Sequence, residues 1–230
     1  MIILKKTLIT IFIVLILDQA LKIWVKTNMA LGEEFSVFGN WFLIKFIENN
    51  GMAFGLEFAG TKGKIFLSLF RILASCAIAY YLYSIIKKQA HKGFIIAVSL
   101  ILAGALGNII DSAFYGLIFS ESNFLNSNVA TLFPKEGGYA GFLQGKVVDM
   151  LYFPIIEGYF PQWFPFWGGE HFIFFRPIFN ISDSAITIVV LIILNMKKLQ
   201  KRRLTAPLIF LRKAYNQYNY YNYSSFSSSW

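Results

Sequence analysis

The acidic side chains of this chain are sorted by type, and the sorting points to chemistry. Its eight glutamates (Glu33, Glu34, Glu48, Glu57, Glu121, Glu136, Glu157 and Glu170) lie between apolar stretches. Its four aspartates, Asp18, Asp111, Asp149 and Asp183, lie in or at the edges of those stretches. An ionised carboxylate at membrane depth costs at least ~2.5 kcal/mol, so four of them need a reason. Two carboxyl groups held close together in a low-dielectric site do not both ionise, and one keeps its proton while the other stays a base. Such a pair can take a proton from water as it attacks an amide and deliver one to the carbonyl or the leaving amine. This is aspartic-peptidase chemistry, and it requires neither metal nor cofactor.

A structural role is the alternative for each aspartate. It suits Asp18, because Lys22 stands one helical turn further along the same face. Asp111, Asp149 and Asp183 have no cation close by in sequence, Lys146 being the nearest candidate for Asp149. Other chemistries are poorly supplied. His91 and His171 fall in different connecting segments, which gives a zinc site few ligands, and they read as loop histidines. No serine has an evident base, and no GxxxxGK[ST] phosphate cradle occurs. Cys76, the only cysteine, sits in an apolar span and reads as a packing residue without an internal disulfide.

The elements that must position these carboxylates are membrane spans. Hydrophobic residues make up 57% of the chain and charged residues 14%, with a mean hydropathy of +0.57. A soluble domain carries about 25% charged residues, so this one has too little polar surface for water. Spans are expected at about 7–25, 65–86, 93–119 and 178–196, each near the length that crosses a bilayer. The Lys5-Lys6 pair before the first span resembles a signal-peptide start. However, no small-x-small cleavage site follows closely and Asp18 and Lys22 interrupt the run, so it is read as a retained helix.

The formal charge of +9 comes largely from basic residues beside the spans, among them Lys5, Lys6, Lys87, Lys88, Lys92, Lys197, Lys198, Lys201, Arg202 and Arg203. That is the positive-inside pattern. It places both termini and the 89–92 turn in the cytoplasm and makes membrane lipids, not nucleic acid, the expected partners. Segments 26–64 and 120–177 are then external. The first reads as short strands around Trp41-Phe42-Leu43-Ile44. The second is aromatic-rich from Tyr152 to Phe175 and suits the membrane–water interface. All four aspartates map near the external side. The expected fold is therefore an all-α membrane protein, a four-transmembrane-helix bundle with a small external β-rich segment and an external aromatic-rich insertion. The membrane domain covers 1–203, and 204–230 is a Tyr/Asn/Ser-rich low-complexity cytoplasmic tail.

Five segments, in order, carry a resemblance. They are Asp18-Gln19-Ala20-Leu21-Lys22; Asn49-Asn50-Gly51-Met52-Ala53-Phe54; Gly104-Ala105-Leu106-Gly107-Asn108-Ile109-Ile110-Asp111; Val147-Val148-Asp149-Met150; and Phe179-Asn180-Ile181-Ser182-Asp183-Ser184. With them the chain resembles the lipoprotein signal peptidases (type II signal peptidases) from about residue 5 to 200. The resemblance implies a catalytic pair, Asp149 and Asp183. It also implies supporting or substrate-binding roles for Asp18, Lys22, Asn49, Gly51, Asn108, Asp111 and Asn180. It implies an aspartic endopeptidase of the bacterial inner membrane, with no cofactor and no metal. Such an enzyme acts as a monomer on lipidated prolipoproteins and cleaves before a diacylglyceryl-modified cysteine, with the segment from Asn49 to Glu57 clamping the substrate. The chain departs from the family in having Ser112 where Arg is usual and Ser182 where Ala is usual, and in an insertion at about 119–145.

The rivals are a proton-coupled transporter, for which internal repeats or broken helices would be expected, and a structural membrane scaffold. No convincing repeat is visible, and four spans are few for a carrier.

Overall fold

The protein is described from a computed structural model, which covers residues 2–50, 60–124, 128–174 and 177–192. Among the described residues, three helices are long and apolar enough to cross a membrane: α1 (Ile2–Asn28), α2 (Gly60–Lys87) and a continuous helix Lys92–Ile118. The last comprises α3 (Lys92–Ile110), a π-turn (Asp111–Tyr115) and a final turn (Gly116–Ile118). At 1.5 Å per residue each is about 40 Å long, against a hydrocarbon core of about 30 Å. A shorter apolar helix follows at Ile181–Ile192.

The helices are turned inside out relative to a water-soluble bundle. The buried residues of α1 are Thr7, Asp18, Lys22, Val25 and Lys26. Leu8, Phe12, Ile13, Ile16 and Leu17 of the same helix are exposed. Helix α2 likewise exposes Phe66, Leu69, Phe70 and Leu73 while burying Ser68 and Ser75. Apolar residues facing outward and polar ones inward are what a lipid solvent selects. Cys76 is also exposed. It lines the outer face of α2 and is not the packing residue expected.

A four-stranded antiparallel sheet sits at one end of the bundle, in the order β1 (Glu34–Phe38), β2 (Phe42–Asn49), β3 (Val147–Tyr152), β6 (Ile178–Phe179). The two segments read as separate external parts thus share one sheet. Ile178 and Phe179 pair with Tyr152 and Leu151, so the last helix starts at Ile181 and not at the expected 178. Its continuation, 193–196, and the tail 204–230 lie outside the described residues. The aromatic stretch, for which only an interfacial character was expected, contains a separate hairpin, β4 (Ile156–Tyr159) with β5 (His171–Phe174).

Strand alternation gives the sheet two distinct faces. Ile44, Phe46, Val148 and Met150 point into a core with Val25, Met29, Tyr115 and Phe119. The opposite parity carries Asn49 and Asp149. A second apolar core, built on Leu82, Ile85, Ile95, Val98 and Leu102, joins α2 to α3. Contacts divide the chain into a unit spanning Met1–Thr187, which holds every site residue below, and a unit spanning Ile188–Trp230.

Candidate active site

Asn180 is the hinge of the site. It stands immediately before the last helix, and its side-chain oxygen accepts the backbone N–H of Asp183 at 2.9 Å, as an N-cap asparagine does. Its amide nitrogen donates to Asp149 Oδ1 at 2.8 Å and to Asn108 Oδ1 at 3.2 Å. Asn108, from α3, in turn donates to Asp183 Oδ1 at 2.8 Å. The two carboxyl groups, from a strand and from a helix start, are thus tied to one pair of amides. Asn49 of β2 adds a donor to Asp149 Oδ2 at 3.3 Å. Asn180 is wholly buried and Asp149 nearly so.

Behind this pair lies an ionic hub. The Lys22 ammonium is 2.8 Å from Asp18 Oδ2 and 2.8 Å from Asp111 Oδ2, and it donates to Asn108 Oδ1 at 2.9 Å. Its three protons are fully used, and a fully buried ammonium is tolerable only in that condition. Gln19 donates to Asp111 Oδ1 at 2.9 Å, and Tyr115 donates to the Gln19 carbonyl at 3.1 Å. Asp18 accepts the Ser182 backbone N–H at 2.9 Å, which fastens the start of the last helix to α1. Two glycines permit this closeness. A Cβ on Gly104 would stand 2.3 Å from the Ser182 carbonyl oxygen, and one on Gly107 would stand 2.0 Å from Ser182 Oγ.

These contacts complete one reading and correct another. Asp111, which has no cation near it in sequence, is ion-paired with Lys22 across 89 positions of chain. Lys146, the nearest cation to Asp149 in sequence, turns instead to Glu48 at 3.4 Å and Glu121 at 4.0 Å. Arg71 of α2 gave no signal in sequence, yet it faces Asp183, Asp149 and Asp111 electrostatically. Gln19 lies inside a recognised segment but had been given no role. Gly51 and the rest of the expected clamp up to Glu57 lie outside the described residues.

Four carboxyl groups therefore surround two cations, Lys22 and Arg71. Burial, and then the nearby Asp183 charge, push the Asp149 carboxyl up to about 7, although Asn49, Lys22 and Asn180 pull the other way. A carboxyl poised near neutrality beside a second one is the condition for general acid–base work.

A membrane-embedded chain that holds two carboxyl groups on one amide pair has the features of an intramembrane hydrolase. A family model described as signal peptidase (SPase) II matches residues 10–198. The chain is 52% identical over 185 residues to a lipoprotein signal peptidase of Porphyromonas gingivalis, covering 80% of this chain and 79% of that one. It is 36% identical over 186 residues to one from Amoebophilus asiaticus, covering 79% and 73%. A solved bacterial membrane enzyme superposes with a TM-score of 0.52 at 25% identity, covering 88% of this chain and 92% of that one. The chain belongs to the signal peptidase II family.

Proposed function

We propose that this protein is an aspartic endopeptidase that removes signal peptides from prolipoproteins, with Asp149 and Asp183 as its catalytic pair. The observation that carries the reading is the shared amide pair. Asn180 and Asn108 each hold one carboxylate and each other, which fixes the two acids as one unit. Near neutral pH the unit keeps one proton. The ionised carboxylate takes a proton from the attacking water, the protonated one donates to the scissile carbonyl, and the proton is then relayed to the leaving amine. Lys22 is ion-paired with Asp18 and Asp111 behind the pair.

Family membership supports a lipidated prolipoprotein as substrate, cut before its diacylglyceryl-modified cysteine. The acyl chains stay in the bilayer, and the signal helix lies among four membrane helices, of which Ile181–Ile192 begins the fourth. In this reading the site lies near the external face of the inner membrane and both termini are cytoplasmic. Asn49 contacts the substrate, and the enzyme acts as a monomer. The test is purified protein with a lipidated precursor, scored by mass spectrometry for a new amino-terminal cysteine. Wild type should produce it, and Asp149→Asn and Asp183→Asn should not. Cleavage by either variant would refute the pair.

A further inference from the structure

Helix α1 carries a second fully buried cation, Lys26, one turn beyond Lys22. Its ammonium is ion-paired with Glu48, whose side chain is 3% exposed, and it donates to Ser122 Oγ at 2.9 Å. The rings of Tyr139, Phe119 and Phe46 surround it, with centroids at 5.2, 5.4 and 5.8 Å. The second oxygen of Glu48 meets Lys146 at 3.4 Å, and Lys146 also approaches Glu121. Ser122, Phe119 and Tyr139 all belong to the inserted segment between the α3 continuation and β3. The insertion therefore closes over this ion pair and keeps water from it.

Glu48 also precedes Asn49, the residue that donates to Asp149. Neighbours on a strand point to opposite faces: Glu48 goes to the core side with Phe46, and Asn49 to the side of the carboxyl pair. Whatever fixes Glu48 fixes where the Asn49 amide falls. We propose that the Lys26–Glu48 pair, sealed by the insertion, is a positioning device that locks β2 to the end of α1 and so holds Asn49 on Asp149. This rests on Asp149 being catalytic.

The hydrogen bond from Asn49 favours the ionised form of Asp149. The other charges facing Asp149 are Asp183 from the last helix, Lys22 from α1 and Arg71 from α2, whereas Glu48 is ion-paired with Lys26 and Lys146. Loosening β2 should therefore raise the apparent pKa of the pair without altering those charges.

The experiment is kcat and KM against pH for the full chain with a lipidated precursor. Glu48→Gln and Lys26→Met should lower kcat roughly tenfold, the rate equivalent of one hydrogen bond to a charged group, with little change in KM. The basic limb should move up by about half a unit or more, as the loss of such a bond implies. Asn49→Ala should shift it equally, and Glu48→Gln should add nothing in that background. Lys26→Arg, which keeps the pair, should restore the native profile. If a single variant does not fold, Lys26→Met with Glu48→Gln removes the pair without stranding the Lys26 charge and should show the same shift. A native profile in the Glu48 variants, or a shift that adds to that of Asn49→Ala, overturns the inference. Activity in Asp149→Asn instead overturns the catalytic pair on which it rests.

Discussion

Asn108 and Asn180 are hydrogen-bonded to each other at 3.2 Å across 72 positions of chain, and each holds a different carboxyl group of the candidate pair. An asparagine amide has one donor end and one acceptor end, and here both ends are committed. The Asn180 oxygen caps the helix at Asp183, and its nitrogen reaches Asp149 and Asn108. The geometry of the pair is therefore set by side chains that cannot titrate.

Replacing either asparagine should cost activity more than stability. Asn108→Ala and Asn180→Ala should each lower kcat by about 10- to 100-fold, as expected when a bond of ~1.5–3 kcal/mol to a charged group is lost. Asn180→Asp should be worse, because it sets a third carboxylate against Asp149. Turnover of a lipidated precursor by folded variants, with folding checked by thermal melting, measures this.

The pH dependence follows from Asp149, whose carboxyl is pushed up to about 7. Activity that needs one shared proton should fall as pH rises through about 7. Between the ordinary carboxylate range and about 7 the folded protein holds a proton that the unfolded chain has released, so stability from this group declines as pH rises through that window. Asp149→Asn should be inactive, and its melting temperature should be less pH-dependent over the same window. Melting curves of both proteins from pH 4 to 8 would check the sign.

Lys22 is the shared ion-pair partner of Asp18 and Asp111. Lys22→Met strands both carboxylates in a dry site, and breaking such a pair costs about 3–5 kcal/mol. The variant should accumulate poorly in membranes. Adding Asp18→Asn and Asp111→Asn should recover part of the yield, which immunoblotting of membrane fractions would measure.

Ser182 carries a visible cost. Among the described residues its hydroxyl is buried with no hydrogen-bond partner. Ser182→Ala should be tolerated and should stabilise by about 1 kcal/mol. Gly104→Ala, by contrast, drives a methyl group against the Ser182 carbonyl oxygen and should destabilise by about 1–3 kcal/mol, the range for overpacking. Paired thermal melts distinguish the two effects.

The aspartates were legible because a carboxylate inside an apolar run is costly wherever it occurs, so residue type and place alone marked Asp18, Asp111, Asp149 and Asp183. Lys22 was legible as a partner of Asp18 because the two are one turn apart. Its second partner was not, since nothing local ties residue 22 to residue 111. Lys26 continues the same face at the next turn, a spacing that could have marked it as buried instead of as the start of an external segment. Its pairing with Glu48 needs the sheet, and the sheet joins β2 to β3 across about a hundred positions. Arg71 had no local signal, being one cation in an apolar helix whose direction only packing reveals. Asn180 moves the start of the expected fourth span from 178 to 181 because its side chain caps the helix at Asp183, leaving Ile178 and Phe179 to pair with β3.

The coupling between Asp149 and Asp183 can be measured directly by infrared difference spectroscopy of the protonated carboxyl band during a pH titration. The wild-type protein should show one carboxyl titrating at about 7. That titration should be absent in Asp149→Asn and should move to lower pH in Asp183→Asn, because removing a neighbouring negative charge favours ionisation. A band near 7 that persists in Asp149→Asn, or one that Asp183→Asn leaves unmoved, would mean that the two carboxyl groups do not act as a pair.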